Sequence, residues 1–164
     1  MKNIIFIIAA VVAVSCSNAQ TNLKEEALSQ ELTALDGSKI AFGDVLKKYH
    51  GKPLMIEVWA SWCGDCVKAM PKLKETQAAN PHVQYLFLSM DRAEDKWKSG
   101  IEKHALKGDH YWAVEGMKGP FGKAIDLDWI PRYIIIDKTG KVVVYRAIET
   151  DFEKINQTLK SMNP

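Results

Sequence analysis

Residues 54–66 read LMIEVWASWCGDC, an apolar run followed directly by a Cys-x-x-Cys pair. The run Leu54 to Trp59 predicts a buried strand, because short apolar segments bounded by turn residues are typical of strands covered on both faces. Two residues between Cys63 and Cys66 place both sulfurs on the first turn of a following helix. Free backbone N–H groups and the helix dipole stabilise a thiolate there. This stretch therefore predicts a redox-active dithiol.

A Cys-x-x-Cys pair also occurs in structural disulfides and in zinc sites, so both remain alternatives at this point. A closed zinc site needs four ligands, and the chain has only one further cysteine, Cys16. The four histidines show no paired spacing, and we expect His104 and His110 at the surface; the four are His50, His82, His104 and His110. We therefore predict no metal site.

Three further features accompany the cysteine pair: the motif VWASWCGDC at residues 58–66, Pro71 after the second cysteine, and WIPRYIIIDKTGK at residues 129–141. In this order they resemble the thioredoxin superfamily, and more closely the exported TlpA-like thiol:disulfide oxidoreductases, some of which serve cytochrome c maturation. The resemblance covers residues 31–164. It implies an α/β thioredoxin-like fold, a mixed central β-sheet with helices on both faces, here with an N-terminal β-hairpin extension.

The two cysteines are expected to have different roles. Cys63 lies at the start of the helix with the more exposed sulfur and is the expected nucleophile, and Cys66 resolves the mixed disulfide. Gly64 and Asp65 lie between them as redox-tuning positions. The negative charge of Asp65 disfavours the thiolate and favours a reducing couple, unless water screens it.

Glu57 lies on the apolar strand six residues before Cys63, at a position that resembles the buried acid of thioredoxin. Desolvation in such a strand raises the pKa of a carboxyl, which suits it to take and return the proton of Cys66. The resemblance further implies a cis peptide bond at Pro131, with the Ile130 backbone offered to an extended substrate. Trp62 is expected to shape substrate access.

Residues 1–19 have the layout of a secretory signal, with a basic start and an apolar stretch. Cleavage before Gln20 yields a soluble exported chain, whereas the sequence Ala13-Val14-Ser15-Cys16 indicates a lipoprotein with Cys16 lipidated. We favour the lipoprotein, because Cys16 otherwise has no role. Residues 20–30 then form a polar tether, and residues 31–164 form one domain.

The predicted compartment determines the expected partners. The processed chain keeps free thiols only at Cys63 and Cys66, so the redox-active disulfide is the expected reactive group and no other cofactor is predicted. An oxidising compartment requires a membrane electron donor to keep such a dithiol reduced. We expect oxidised substrate proteins, with apocytochrome c implied by the resemblance, and a monomeric protein. The formal net charge of +2 gives no indication of nucleic-acid binding.

The remaining elements follow from turn residues and apolar spacing. Asp36-Gly37 predicts one hairpin and Lys138-Thr139-Gly140 a second. We expect a parallel strand at Val83 to Met90, and capping boxes Asp91/Glu94 and Thr150/Glu153 for two later helices. Residues 107–123 are rich in glycine and are predicted to form a long loop.

Two other functions remain as alternatives. A thiol peroxidase of the same fold requires a Thr-x-x-Cys type setting, which Ser61-Trp62-Cys63 does not supply. A copper-binding metallochaperone module would use Cys63, Cys66 and a distant histidine. The favoured hypothesis is an exported thiol:disulfide oxidoreductase that reduces protein disulfides.

Overall fold

The computed structural model describes residues 22–163. The described residues form seven strands and six helices. The strands are β1 (Glu31–Ala34), β2 (Lys39–Ala41), β3 (Leu54–Trp59), β4 (Gln84–Ser89), β5 (Asp109–Trp112), β6 (Arg132–Ile136) and β7 (Val142–Ala147). The helices are α1 (Glu25–Leu28), α2 (Phe42–Lys47), α3 (Gly64–Ala79), α4 (Glu94–His104), α5 (Pro120–Ala124) and α6 (Phe152–Ser161).

The strands form one mixed sheet in the order β2-β1-β5-β4-β3-β6-β7. The three strands β3, β4 and β5 are parallel, and the other pairs are antiparallel. The parallel unit runs β3-α3-β4-α4-β5, and each crossover moves one strand further along the sheet in the same direction. Because such crossovers are right-handed, α3 and α4 lie on the same face. The apolar residues of β3 are buried because both faces of this central strand are covered.

Helices cover both faces of the sheet, as expected. On one face, α6 packs against β6 through Phe152 and Tyr133, whose rings are 5.2 Å apart. Helix α4 covers the same face through Trp97, which stacks 6.0 Å from Trp112 of β5. Helices α1, α2 and α5 contact one another on the opposite face. The fold is therefore the predicted thioredoxin-like α/β arrangement, with the N-terminal hairpin β1–β2 at one edge.

Both predicted hairpins are confirmed. Gly37 adopts φ +85° in the first turn, and Gly140 adopts φ +88° in the second, a region that glycine enters without steric cost. An aspartate carboxylate closes each turn: Asp36 accepts bonds from Ser38, and Asp137 accepts bonds from Thr139. These side-chain bonds explain why Asp-x-x turns begin here.

The expectation of a long loop at residues 107–123 is wrong. The segment contains β5, which pairs with both β4 and β1, and the start of α5. His110 of this strand is buried and stacks 4.9 Å from Phe87, so its expected surface position is wrong as well. The strand is only four residues long and lies among glycines, so its apolar signal is too short to outweigh the turn signals.

The two predicted capping boxes are also wrong. Helix α4 begins after Ala93, which makes no side-chain cap, and the Asp91 carboxylate instead binds Ser61 and Ser89. Helix α6 begins after Asp151, whose carboxylate accepts the Ile148 backbone N–H at 2.9 Å. The Asp91 carboxylate is therefore occupied by tertiary partners, and α6 begins one residue later than the predicted Thr150 cap.

The packed domain begins earlier than residue 31. Ala27 of α1 is fully buried, and Lys24 forms an ion pair with Asp126 at 2.8 Å. The second half of the expected tether therefore packs on the domain. The expected signal segment and Cys16 lie outside the described residues. Within residues 22–163, the longest apolar helical stretch falls short of what a membrane crossing requires.

Candidate active site

A disulfide joins Cys63 and Cys66 at the N-terminus of α3, with Cα atoms 5.3 Å apart. Cys63 is the N-cap residue of the helix, and the Cys66 backbone N–H donates to its sulfur at 3.1 Å. Cys63 is 6% exposed and Cys66 is 0% exposed. The sulfur of Cys63 is thus the accessible one, and it receives an N–H group of the kind that stabilises a thiolate.

The segment before β6 lies directly against the disulfide. The Ile130–Pro131 peptide bond is cis, which confirms what the resemblance implied. The Ile130 carbonyl oxygen is 3.5 Å from the Cys63 sulfur, although 67 positions separate the two residues in the chain. The structure therefore brings the predicted nucleophile and the predicted substrate-binding backbone together.

The buried Arg132 side chain holds the loop that leads into this cis-proline segment. Its role was not predicted from the sequence. Its side chain is buried and donates to the carbonyl oxygens of Ile125 and Asp126 at 3.3 Å. It also forms an ion pair with Asp128. A charged side chain that satisfies two backbone carbonyls and a carboxylate fixes the path of the loop.

Two exposed tryptophans flank the disulfide. Trp62 precedes Cys63 and is 55% exposed, and Trp129 precedes Ile130 and is 53% exposed. The exposure of Trp62 matches its expected place at the substrate approach. Trp129 was not assigned to the site from the sequence, although its position beside Ile130 in the same motif was the available signal. Two large apolar groups in water beside a reactive disulfide form a surface suited to binding another chain.

The residues between the cysteines face solvent. Gly64 is exposed, and a Cβ at this position would meet nothing within 4 Å. The Asp65 carboxylate lies 3.5 Å from the Lys68 ammonium; the Lys68 side chain is 82% exposed and the Asp65 side chain is 41% exposed. Lys68 offsets part of the negative charge, so the expected effect of Asp65 on the couple stays a prediction.

Glu57 is buried in the middle of β3, 2% exposed, on the face covered by α3, α4 and α6. Neither carboxyl oxygen has a hydrogen-bond partner. Burial raises the pKa of Glu57 to about 8, and the nearby Tyr133 hydroxyl offsets part of this rise without completing a hydrogen bond. The structure thus confirms the expected burial of Glu57 and the expected direction of its pKa shift.

Asp91 is a second buried carboxylate beside the site, and its place there was not predicted. One or both of its oxygens accept the Ser61 N–H at 3.1 Å, the Ser61 hydroxyl at 2.6 Å and the Ser89 hydroxyl at 2.8 Å. Its backbone carbonyl accepts the Trp112 indole N–H at 2.7 Å. Asp91 therefore holds the loop that carries Trp62 and Cys63. The available signal was its position at the carboxyl end of β4, which is parallel to β3.

Metal ligands are not clustered around the cysteine pair. Across residues 22–163, no group of three or more cysteine, histidine or acidic side chains is arranged to hold an ion. In this oxidised state both sulfurs are engaged in the disulfide. The copper-binding alternative therefore gains no third ligand from the part of the chain that the structure describes.

Comparison with known proteins identifies relatives by sequence. The family model described as Redoxin matches residues 24–161. A thiol-disulfide oxidoreductase ResA of Bacillus anthracis is 30% identical over 145 residues, which cover 85% of this chain and 78% of the relative. The protein of the same name from Bacillus thuringiensis subsp. konkukian is 28% identical over 142 residues, with the same coverage.

Solved structures agree with these sequence matches. A putative thiol:disulfide interchange protein DsbE from Chlorobium tepidum aligns with TM-score 0.68 and 20% identity, covering 87% of this chain and 96% of its own. A putative thiol-disulfide oxidoreductase from Bacteroides vulgatus aligns with TM-score 0.64 and 29% identity, covering 82% and 89%. The chain belongs to the Redoxin family, with a thioredoxin-like fold and the Cys63–Cys66 disulfide of a thiol:disulfide oxidoreductase.

Proposed function

We propose that this protein is an exported reductant of protein disulfides, with Cys63 as nucleophile and Cys66 as resolving thiol. The observation that carries the proposal is the geometry of the pair. The more accessible sulfur caps α3, receives the Cys66 N–H, and lies 3.5 Å from the Ile130 carbonyl of the cis-proline segment.

The reaction follows from this arrangement. The Cys63 thiolate attacks a substrate disulfide, so that one substrate sulfur leaves as a thiolate and a mixed disulfide forms. Cys66 then attacks the Cys63 sulfur, closes the disulfide seen in the structure, and releases the second substrate sulfur. Two electrons pass from the dithiol to the substrate. A membrane partner returns the pair to the dithiol state.

Glu57 is the proposed acceptor for the Cys66 proton. The resolving thiol must lose its proton to attack, and it lies at the buried end of the pair. With a pKa of about 8, Glu57 is mostly protonated at pH 7, and its ionised fraction is the carboxylate that accepts the Cys66 proton. Ala69, where many TlpA-like proteins carry a glutamate, offers no alternative acceptor on α3.

The substrate is proposed to bind along the cis-proline segment between Trp62 and Trp129. An extended peptide offers backbone groups to Ile130 and Pro131 and apolar side chains to the two exposed indoles. Apocytochrome c is the proposed substrate class. This assignment is supported by the resemblance to exported TlpA-like proteins, some of which serve cytochrome c maturation.

Export and anchoring are proposed from the N-terminal sequence. A relative that is 23% identical over 91 residues is named soluble secreted antigen MPT53 of Mycobacterium bovis, and this name supports export. We propose that Cys16 is lipidated and tethers a monomeric domain to a membrane. The mass of the processed N-terminus separates a lipidated Cys16 from a free Gln20.

Trapping of the mixed disulfide tests the proposed roles of the cysteines. The reduced Cys66→Ser variant, mixed with an oxidised disulfide peptide, should accumulate a covalent adduct that mass spectrometry locates at Cys63. The matched Cys63→Ser variant should accumulate none, because the remaining thiol is buried. An adduct formed only through Cys66 would contradict the assignment of the nucleophile.

A further inference from the structure

The buried Glu57 carboxyl needs a path by which its proton reaches water, and the cysteine pair does not provide one. The carboxyl is buried in the central strand, and its two oxygens lack hydrogen-bond partners. A group that takes a proton from Cys66 in each turnover must return a proton to water before the next turnover. Some chain of polar groups has to connect it to the surface.

Tyr133 is the first such group. It lies directly opposite Glu57 in the β3–β6 register, so both side chains share one face of the sheet. Its hydroxyl is buried and lacks a hydrogen-bond partner, like the carboxyl oxygens. Burial raises the pKa of Tyr133, with further rises from Glu57 and Glu149, so the hydroxyl keeps its own proton. Such a group gives and accepts a proton in a single step.

Glu149 is the second group. Tyr133 pairs with Ala147 across β6 and β7, and Glu149 lies in the turn that follows, two positions beyond Ala147. Oε2 of Glu149 is buried without a hydrogen-bond partner, and the carboxylate is near enough to act on the Tyr133 hydroxyl. Buried polar atoms without partners are rare, and here three neighbouring residues carry four of them.

A surface pocket completes the path to water. It lies at the active-site end of the sheet, beside the cis-proline segment; its lining residues are Asp128, Trp129, Arg132, Arg146, Ile148 and Glu149. The two arginines both pair with Asp128, and Glu149 lines the same pocket.

We propose that Tyr133 and Glu149 carry the proton between Glu57 and the water of this pocket. The inference rests on the proposed role of Glu57. With its raised pKa, Glu57 starts each turnover protonated, and its carboxyl donates to the Tyr133 oxygen while the Tyr133 hydroxyl donates to Glu149. Glu149 releases the proton to water, and the Glu57 carboxylate so formed accepts the Cys66 proton, which returns all three groups to their starting states.

The charged neighbours of the route are few. Arg132 of β6, Arg146 of β7 and Asp128 of the preceding loop face Glu149 in the pocket. On the other side of Glu57, Phe87 separates it from His110 in the same row of the sheet. Burial lowers the pKa of His110, which keeps this ring neutral at pH 7. His110 therefore adds no positive charge to that side of Glu57.

Two variants interrupt the route while leaving both cysteines and Glu57 in place: Glu149→Gln and Tyr133→Phe. Stopped-flow measurement at pH 7 should show resolution of the mixed disulfide slowed on the order of tenfold in each, with the initial attack by Cys63 unchanged. The control Glu153→Gln removes the same charge from an exposed position on α6 and should behave as wild type. Wild-type resolution rates in both route variants would overturn the proposal.

A second readout separates the route from the catalytic role of Glu57. In the oxidised protein at pH 7, the Glu57 carboxyl gives a carbonyl stretch in the infrared, identified by its absence in Glu57→Gln. Its exchange from hydrogen to deuterium should slow on the order of tenfold in Glu149→Gln and Tyr133→Phe. Unchanged exchange overturns the route. If Glu57→Gln resolves the mixed disulfide normally, the relay role fails whatever the exchange shows.

Discussion

Glu57 is an acid in a strand whose other five residues are apolar, and the fold gives its carboxyl no hydrogen-bond partner. Isolation of this kind costs stability, because a buried carboxyl without partners loses its hydration. The residue type and its place in the apolar run were enough to predict both burial and a raised pKa from the sequence. Its neighbours were not predictable, because Tyr133 is brought opposite by strand register.

Replacement of Glu57 by glutamine should separate the two chemical steps. Glu57→Gln keeps the shape of the side chain but cannot accept the Cys66 proton, so resolution of the mixed disulfide at pH 7 should slow on the order of a hundredfold. The initial attack by Cys63 should stay close to wild type. Rapid-quench analysis with a disulfide peptide measures both steps. Equal slowing of both steps would contradict the relay.

Asp91 is expected to position Cys63 indirectly, by holding the loop that carries it. In Asp91→Asn, one carboxylate oxygen becomes an amide N–H₂, so the Ser61 N–H, Ser61 hydroxyl and Ser89 hydroxyl no longer all find acceptors. We expect a loss of about 1–3 kcal/mol in the free energy of unfolding and slower attack by Cys63.

Chemical denaturation and the mixed-disulfide rate measure these two effects for Asp91→Asn. Asp95→Asn, at an exposed position in the first turn of α4, is the matched control and should alter neither. A wild-type rate of attack in Asp91→Asn would show that the hydrogen bonds of Asp91 to Ser61 and Ser89 stabilise the fold without positioning the nucleophile.

Helix α4 supports the loop that leads into the cysteine pair. A Cβ added at Gly100 would lie 2.8 Å from the Ser61 Cβ and 3.0 Å from the Trp59 ring. Both distances are shorter than ordinary contacts, and neither neighbour is free to move, because Trp59 is fully buried and Ser61 is held by Asp91. The absent side chain of Gly100 is therefore a requirement of this packing.

Gly100→Ala should displace α4 from the loop. We expect the free energy of unfolding to fall by about 1–3 kcal/mol despite the better helix propensity of alanine, because overpacking outweighs that gain. Ser99→Ala, at the exposed neighbouring position, should leave stability nearly unchanged. Urea denaturation measures the free energy of unfolding of both variants, and a stabilised Gly100→Ala protein would show that α4 has room for a Cβ at this contact.

The elements differ in how far the sequence determines them. Strands β3 and β4, both hairpins and helix α3 follow from apolar runs and turn residues that stand close together in the chain. Strand β5 was missed because its four residues gain stability from β4 and β1, which are distant in sequence. Asp91 was mistaken for a helix cap because its partner Ser61 lies 30 positions away.

For the whole molecule, the same distinction applies to the site. The motif around Cys63 and Cys66 and the segment Ile130–Pro131 were predictable because their residues stand in recognisable local patterns. Arg132, Trp129 and the pocket beside Glu149 depend on how β6 and β7 pair and where the preceding loop returns. Site residues that lie next to one another in the sequence could be predicted, whereas those brought together by strand pairing could not.

The raised pKa of Glu57 also predicts how global stability responds to pH. The folded state holds the proton up to about pH 8, whereas an unfolded glutamate releases it near its ordinary value of 4.5. Between these values the folded state binds more protons, so Glu57 lowers stability as pH rises, by up to about 1.4 kcal/mol per pH unit.

Denaturation curves of wild type and Glu57→Gln across this pH window test the linkage. The difference in unfolding free energy should shift in favour of the glutamine variant as pH rises from 5 to 8. A difference that stays constant over the window would show that the pKa of Glu57 is not raised in the folded protein.

The reduction potential of the Cys63–Cys66 pair is the measurement that decides whether it works as a reductant. The domain is equilibrated with dithiothreitol or glutathione buffers, and the oxidised fraction is measured by thiol alkylation. We expect a potential below about −250 mV, in the range of reducing dithiols such as thioredoxin. A potential above about −150 mV would make the protein a disulfide donor and would contradict both the proposed direction of electron flow and the expected role of Asp65.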